Sequence, residues 1–144
     1  MGTGYFTQPS LCADRIVFVC EDDLWEVDSS GGQARRLTNS RSEIKTPYLD
    51  PSGKWIACCA KEEGDPDVYL MSADGGPLTR LTWLNSVTRI VGWTPDGSSI
   101  LFHSIHQAVH HRGSDAWLFK VGVDGGPVQR LPFGPAVSLN YCLL

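Results

Sequence analysis

The chain writes one sentence three times. SSGGQARRLT spans Ser29–Thr38, ADGGPLTRLT spans Ala73–Thr82, and VDGGPVQRLP spans Val123–Pro132. The glycine pairs begin at Gly31, Gly75 and Gly125, at intervals of 44 and 50 residues. Self-similarity at that period restricts the fold to a solenoid, a propeller or another array of stacked units.

What each unit contains decides among these. An extended run precedes every glycine pair: LWEVD from Leu24, VYLMS from Val68 and LFKVG from Leu118. Trp25, Tyr69 and Phe119 hold one register place, and Val27, Met71 and Val121 lie two residues on, hence on the same face of a strand. Asp74-Gly75 and Asp124-Gly125 are hairpin signals, because the turn needs the positive φ that Gly and Asp tolerate. The run after each turn, ending in Leu37, Leu81 or Leu131, then reads as the next antiparallel strand.

A second hairpin lies upstream. DPSGKWIACC (Asp50–Cys59) matches TPDGSSILFH (Thr94–His103), with Pro presetting φ and Gly taking the left-handed place. Ile16, Ile56 and Ile100 align, as do Phe18, Cys58 and Phe102. Before these turns lie GYFTQP (Gly4–Pro9), EIKTPYL (Glu43–Leu49) and TRIVGW (Thr88–Trp93). Pro47 removes a ladder donor from the second of them. Each unit is therefore a four-stranded antiparallel meander. No helix-period stretch competes with this reading.

Four strands per repeat at this period make a β-propeller blade. The expected fold class is all-β, with blades at about 4–38, 43–82 and 88–132 and the first strand of a fourth at about 136–141. The whole chain, 1–144, is one partial propeller domain.

Apolar residues make up 42% of the chain and charged ones 19%, which suits a packed core. A net charge of −4 argues against nucleic acid or an anionic membrane as partner. The five cysteines are odd in number and lack C-x-x-C spacing, so they read as small buried apolar residues of a reducing compartment. RIVFVC is too short for a signal-peptide core, and no long apolar run follows. Cytoplasmic location is the expectation.

The units differ mainly in the loop between their second and third strands, and such insertions collect on one face of a repeat protein. The candidate contact residues are Glu21, Asp22 and Asp23 in the first loop, and Glu62, Glu63 and Asp65 in the second. The third loop carries His106, His110, His111 and Arg112. The acidic pair of loops would select cationic peptides electrostatically; a solvated polar rim is the plainer reading. His103 and His106 would project from opposite faces of a continuing strand, and EF-hand spacing is absent, so neither metal nor cofactor is expected. G-x-S-x-G and H-E-x-x-H are both missing, and no catalytic residue is assigned.

On these residues the chain resembles the tricorn-type serine peptidases. GYFTQPSLCADRIVFVCEDDLWEVDSSGGQARRLT is similar to their opening blade, and YLDPSGKWIACCAKEEGDPDVYLMSADGGPLTRLTWL to the second. VGWTPDGSSILF and DGGPVQRLPFGPAVSLNY are similar to the third and the entry to a fourth. VCEDDLWEV and RLTWL make the likeness more specific than the shared propeller turns. The resemblance implies a cytoplasmic, homo-oligomeric enzyme that trims oligopeptides. Two propellers precede a PDZ domain and a catalytic core and channel peptides to or from its chamber. It places the nucleophile beyond position 144.

Three blades are half of the six-bladed ring that the resemblance implies. Both outer blade faces should then be bare, and a second copy would close the ring as a homodimer. The alternative is a self-associating scaffold that binds proteins or peptides without peptidase activity.

Overall fold

The computed structural model describes residues 5–39, 41–106 and 116–133. Among them, twelve strands form three four-stranded antiparallel sheets, and there is no helix. Blade 1 is β1 (Thr7–Cys12), β2 (Arg15–Cys20), β3 (Asp23–Asp28) and β4 (Arg35–Arg36). Blade 2 is β5 (Glu43–Leu49), β6 (Trp55–Lys61), β7 (Asp67–Ser72) and β8 (Thr79–Arg80). Blade 3 is β9 (Thr88–Trp93), β10 (Ser99–Ser104), β11 (Trp117–Gly122) and β12 (Gly125–Arg130). Strands pair in chain order within each blade. β5 lies against both β1 and β9, so the first strands form the inner edge of the stack.

The register repeats. Trp25 pairs with Phe18 and Arg36, Tyr69 with Cys58 and Arg80, and Phe119 with Phe102 and Arg130. The β5–β6 and β9–β10 turns place Gly53 and Gly97 at φ of 71° and 70°, as the Pro-x-Gly sequences predict. Asp50 braces the first of these turns by accepting from the amides of Ser52, Lys54 and Trp55.

Two details depart from expectation. β1 begins at Thr7, later than GYFTQP predicts, because a tight Ala13-Asp14 turn carries the strand on to Cys12 opposite Arg15. The fourth strands of blades 1 and 2 shrink to two residues, since the glycine pairs and the residues after them run outside the ladder. The fourth-blade strand expected at 136–141 lies outside the described residues.

Alternation divides each blade into a front, facing its predecessor, and a rear, facing its successor. Val17, Val19 and Leu24 on the rear of blade 1 pack against Ile56, Cys58, Tyr69 and Met71 on the front of blade 2. Ala57, Cys59, Val68 and Leu70 on the rear of blade 2 pack against Ile100, Phe102, Phe119 and Val121 on the front of blade 3. At about 25 cal/mol per Å² of buried apolar surface, these two seams carry most of the hydrophobic stabilisation.

The outer faces are unequal. On the front of blade 1, Phe6 is 65% exposed and Trp25 is half-buried. On the rear of blade 3, Leu101 and Leu118 are each 1% exposed. Of the two outer faces expected to be bare, the front of blade 1 leaves Phe6 exposed and Trp25 half-buried, with Phe18 8% exposed beneath them.

Candidate functional site

The β2–β3, β6–β7 and β10–β11 connections leave one end of the stack together, because each joins the same pair of strands in successive blades. Glu21 and Asp22 form a two-residue turn at φ of 52° and 64° and are exposed. Glu62 and Glu63 are exposed, and Asp65 is half-buried. His106 is half-buried, with its ring edge-on to Phe119 at 6.2 Å. His110, His111 and Arg112 lie outside the described residues.

Asp23 departs from the loop placement. It is the first residue of β3 and 4% exposed, and its carboxylate accepts from the Thr38 hydroxyl at 2.6 Å and from Arg36. Thr38 Oγ1 in turn accepts from the Leu24 amide at 3.0 Å. Blade 2 repeats the clasp. Asp67, 1% exposed, accepts from Thr82 at 2.7 Å, from Arg80 at 2.6 Å and from the Leu84 amide at 2.9 Å. These charge-assisted bonds join the start of the third strand to the end of the fourth. In blade 3 Trp117 and Pro132 stand at the Asp and Thr places, and the Arg130 guanidinium lies 3.5 Å from the centroid of the Trp117 ring.

The clasps remove Asp23 and Asp67 from the rim, and Arg80 lies close enough to Glu62 to feel its charge. Trp83, 71% exposed, adds an aromatic surface with Arg80 5.5 Å from its centroid. Glu62 also reaches inward. Burial, helped by the neighbouring Glu62 carboxylate, pushes the Tyr69 phenol up to about 12. Among the described residues no cluster of His, Cys, Asp and Glu is arranged to hold a metal ion. His103 pairs across with Arg89, and burial followed by that positive charge holds its imidazole below the ordinary pKa.

A second feature lies on the front of blade 1. Phe6, Pro9, Ile16, Phe18, Val27 and Ala34 line an apolar groove of about 390 Å³, with Phe6 edge-on to Phe18 at 5.1 Å. Trp25 Nε1 is buried without a hydrogen-bond partner. The equivalent faces of blades 2 and 3 are covered by the blade before them.

Two groups of residues escaped the sequence reading. The clasp shows as Asp, then Arg thirteen and Thr fifteen residues later, in Asp23/Arg36/Thr38 and Asp67/Arg80/Thr82. The other group is a bulge in the middle of every first strand, opposite Phe18, Cys58 and Phe102, where the ladder register shifts. Pro47 sits at that bulge, where no ladder donor is needed.

Stacked four-stranded antiparallel blades, an inner edge of first strands and variable loops at one end define a β-propeller segment. Residues 3–142 match the family described as the tricorn protease N-terminal beta propeller domain, and the chain belongs to it. Tricorn protease homolog 1 of Streptomyces coelicolor is 33% identical over 91% of the chain. The tricorn protease of Thermoplasma acidophilum is 29% identical over 92% of it. The chain spans only 12% and 13% of the length of these two relatives. The crystal structure of the tricorn protease superposes with a TM-score of 0.84 at 26% identity, covering 96% of this chain and 14% of that one. Among the described residues no helix is long and apolar enough to cross a membrane.

Proposed function

We propose that this chain is a gating and assembly module of a tricorn-like, oligopeptide-degrading serine protease and does not hydrolyse peptides by itself. The observation that carries this reading is the bare apolar front of blade 1 in a chain of that propeller family. A face that is buried in both other blades marks a surface for assembly. The acidic turns Glu21-Asp22 and Glu62-Glu63, with Asp65 and His106 beside them, form the rim past which peptides travel in the cytoplasm. Self-association through the bare face belongs to the same reading. A second reading, a peptide-binding scaffold with no peptidase partner, draws on exposed Trp83 beside Arg80.

The test combines two measurements on the purified chain. Short fluorogenic peptides should not be turned over, and a serine-directed phosphonate should not label it; stoichiometric labelling refutes the non-catalytic role. Adding the chain to a peptidase core of the same family should change which peptide lengths are cleaved. Unchanged length selection favours the scaffold.

A further inference from the structure

The two seams differ at the outer perimeter. In the first, Arg15 and Arg35 on the rear of blade 1 reach Asp74 in the β7–β8 turn. Arg15 donates to its carboxylate at 3.0 Å and Arg35 to its carbonyl at 3.2 Å. In the next repeat Trp55 and Thr79 stand where Arg15 and Arg35 do, and Asp124 stands where Asp74 does. The second seam thus has no guanidinium at either place to draw the turn in. A groove of about 330 Å³ runs there between β8 and β12. Leu81, 6% exposed, and half-buried Val128 form its apolar floor. Both walls are blades of this chain.

The ends of the groove carry different groups. At the glycine-turn end Asp124 is exposed and, among the described residues, has no ion pair. At the other end stands Trp83, 71% exposed. The residues on both sides of it are pinned, because the Thr82 hydroxyl and the Leu84 amide both donate to Asp67. Arg80 donates to the Thr82 carbonyl at 2.9 Å and sets its guanidinium 5.5 Å from the indole centroid. A fixed backbone therefore holds the indole out of the core, so covering it costs little further ordering. Arg130, also exposed, lies on the groove face two residues beyond Val128. Its counterparts Arg36 and Arg80 meet buried carboxylates, whereas Arg130 has the Trp117 ring and, among the described residues, no carboxylate.

We propose that this groove is a docking site for an extended segment of a partner protein. β12 is six residues long, and a segment of similar length matches it. The segment carries a carboxylate that faces Arg130, a proline and an aliphatic residue against Trp83 and Val128, and a basic side chain that faces Asp124. The order of charges along the groove selects this occupant. It supplies from outside the charge that Asp23 and Asp67 supply from within. A nucleic acid would meet Asp124, and a wholly apolar strand would leave both charges unanswered. Docking here requires neither peptide turnover nor self-association, so it stands or falls apart from the peptidase role.

Two end-blocked hexapeptides test this: Glu-Pro-Leu-Val-Thr-Lys and the same residues in reverse order, which cover both chain directions. Each is titrated into the isotope-labelled chain and followed by NMR. One order should shift the amides of Leu81, Thr82 and Val128 and the Trp83 indole N–H. Trp83→Ala should weaken that binding about thirtyfold, the scale of an aromatic anchor. Replacing the peptide Glu by Gln should weaken it about fivefold, the scale of a half-exposed ion pair. Arg130→Gln should do the same, with no further loss when both changes are combined. The peptide change leaves the chain intact, so a folding defect cannot imitate it. Absence of groove shifts with both peptides at roughly millimolar concentration overturns the docking site. So do shifts confined to other residues. Losses that add in the combined change overturn the pairing with Arg130.

Discussion

Phe119→Ala and Trp25→Ala remove aromatic side chains from the same register place in blades 3 and 1, and the structure predicts different losses. Phe119 is 2% exposed and stacks on Phe102 with centroids 5.7 Å apart. Truncating a buried Phe costs about 3–5 kcal/mol through lost transfer energy and the residual cavity. Trp25 faces the uncovered front of blade 1 and is half-buried. Its truncation removes less surface from contact and should cost about 1–2 kcal/mol by area. Urea unfolding followed by circular dichroism reads both. With a slope of about 2 kcal/mol per M, the midpoint should fall by about 1.5–2.5 M for Phe119→Ala and by less than about 1 M for Trp25→Ala. Unchanged slopes confirm that stability, and not the compactness of either state, has moved. Equal losses would refute the reasoning, because they would mean that the front of blade 1 is as fully packed as that of blade 3.

The clasps predict that Asp67→Ala costs about 3 kcal/mol in the same assay, because it strands the Thr82 hydroxyl and the Leu84 amide as well as Arg80. Hydrogen bonds from Thr94 and Ser98 lower the Asp96 carboxyl to about 2 from an ordinary 3.8. Its contribution is therefore full above pH 3.8 and is lost as the pH falls through about 2. Asp96→Asn should flatten acid unfolding across that window, and an unchanged profile contradicts the assignment. Burial raises the Cys58 thiol far above its ordinary value and the Cys59 thiol to about 11. Of Cys12, Cys20, Cys58 and Cys59, half-buried Cys12 should react first with iodoacetamide in the folded chain, as peptide mass mapping would show.

Much of the fold was legible because period-2 alternation and turn chemistry agree throughout. EIKTPYL and TRIVGW coincide with β5 and β9, and the aromatic register of Trp25, Tyr69 and Phe119 matches the strand pairing. The degree of burial at Trp25 was not legible, since it depends on what covers the blade and not on the strand itself. Asp23 read as a loop acid because CEDD looks like a polar turn; only its distant partners Arg36 and Thr38 give it a structural place. That pattern occurs in two blades, but Trp117 and Pro132 break it in the third and so disguise it. The bulges left a local signal in two blades that was read only as a lost ladder donor at Pro47: a proline follows the strained residue in Gln8-Pro9 and in Thr46-Pro47, and a proline inside a strand marks an edge or a bulge. TRIVGW has no proline, so its bulge was not legible.

Arg36, Arg80 and Arg130 stand at one place in the repeat but answer to different partners. The first two meet buried carboxylates, and the third meets an indole face. The outer edges of the three blades should therefore respond differently to their medium. Added salt screens the half-exposed guanidinium of Arg36 and weakens its attraction to Asp23, whereas the Arg130 stack retains its dispersion contact. Heating acts the other way on the charged clasps, because the cost of desolvating their ions declines with temperature. A chain with near-identical blades thus carries outer edges tuned to different conditions, and limited proteolysis across salt and temperature would release them in different orders.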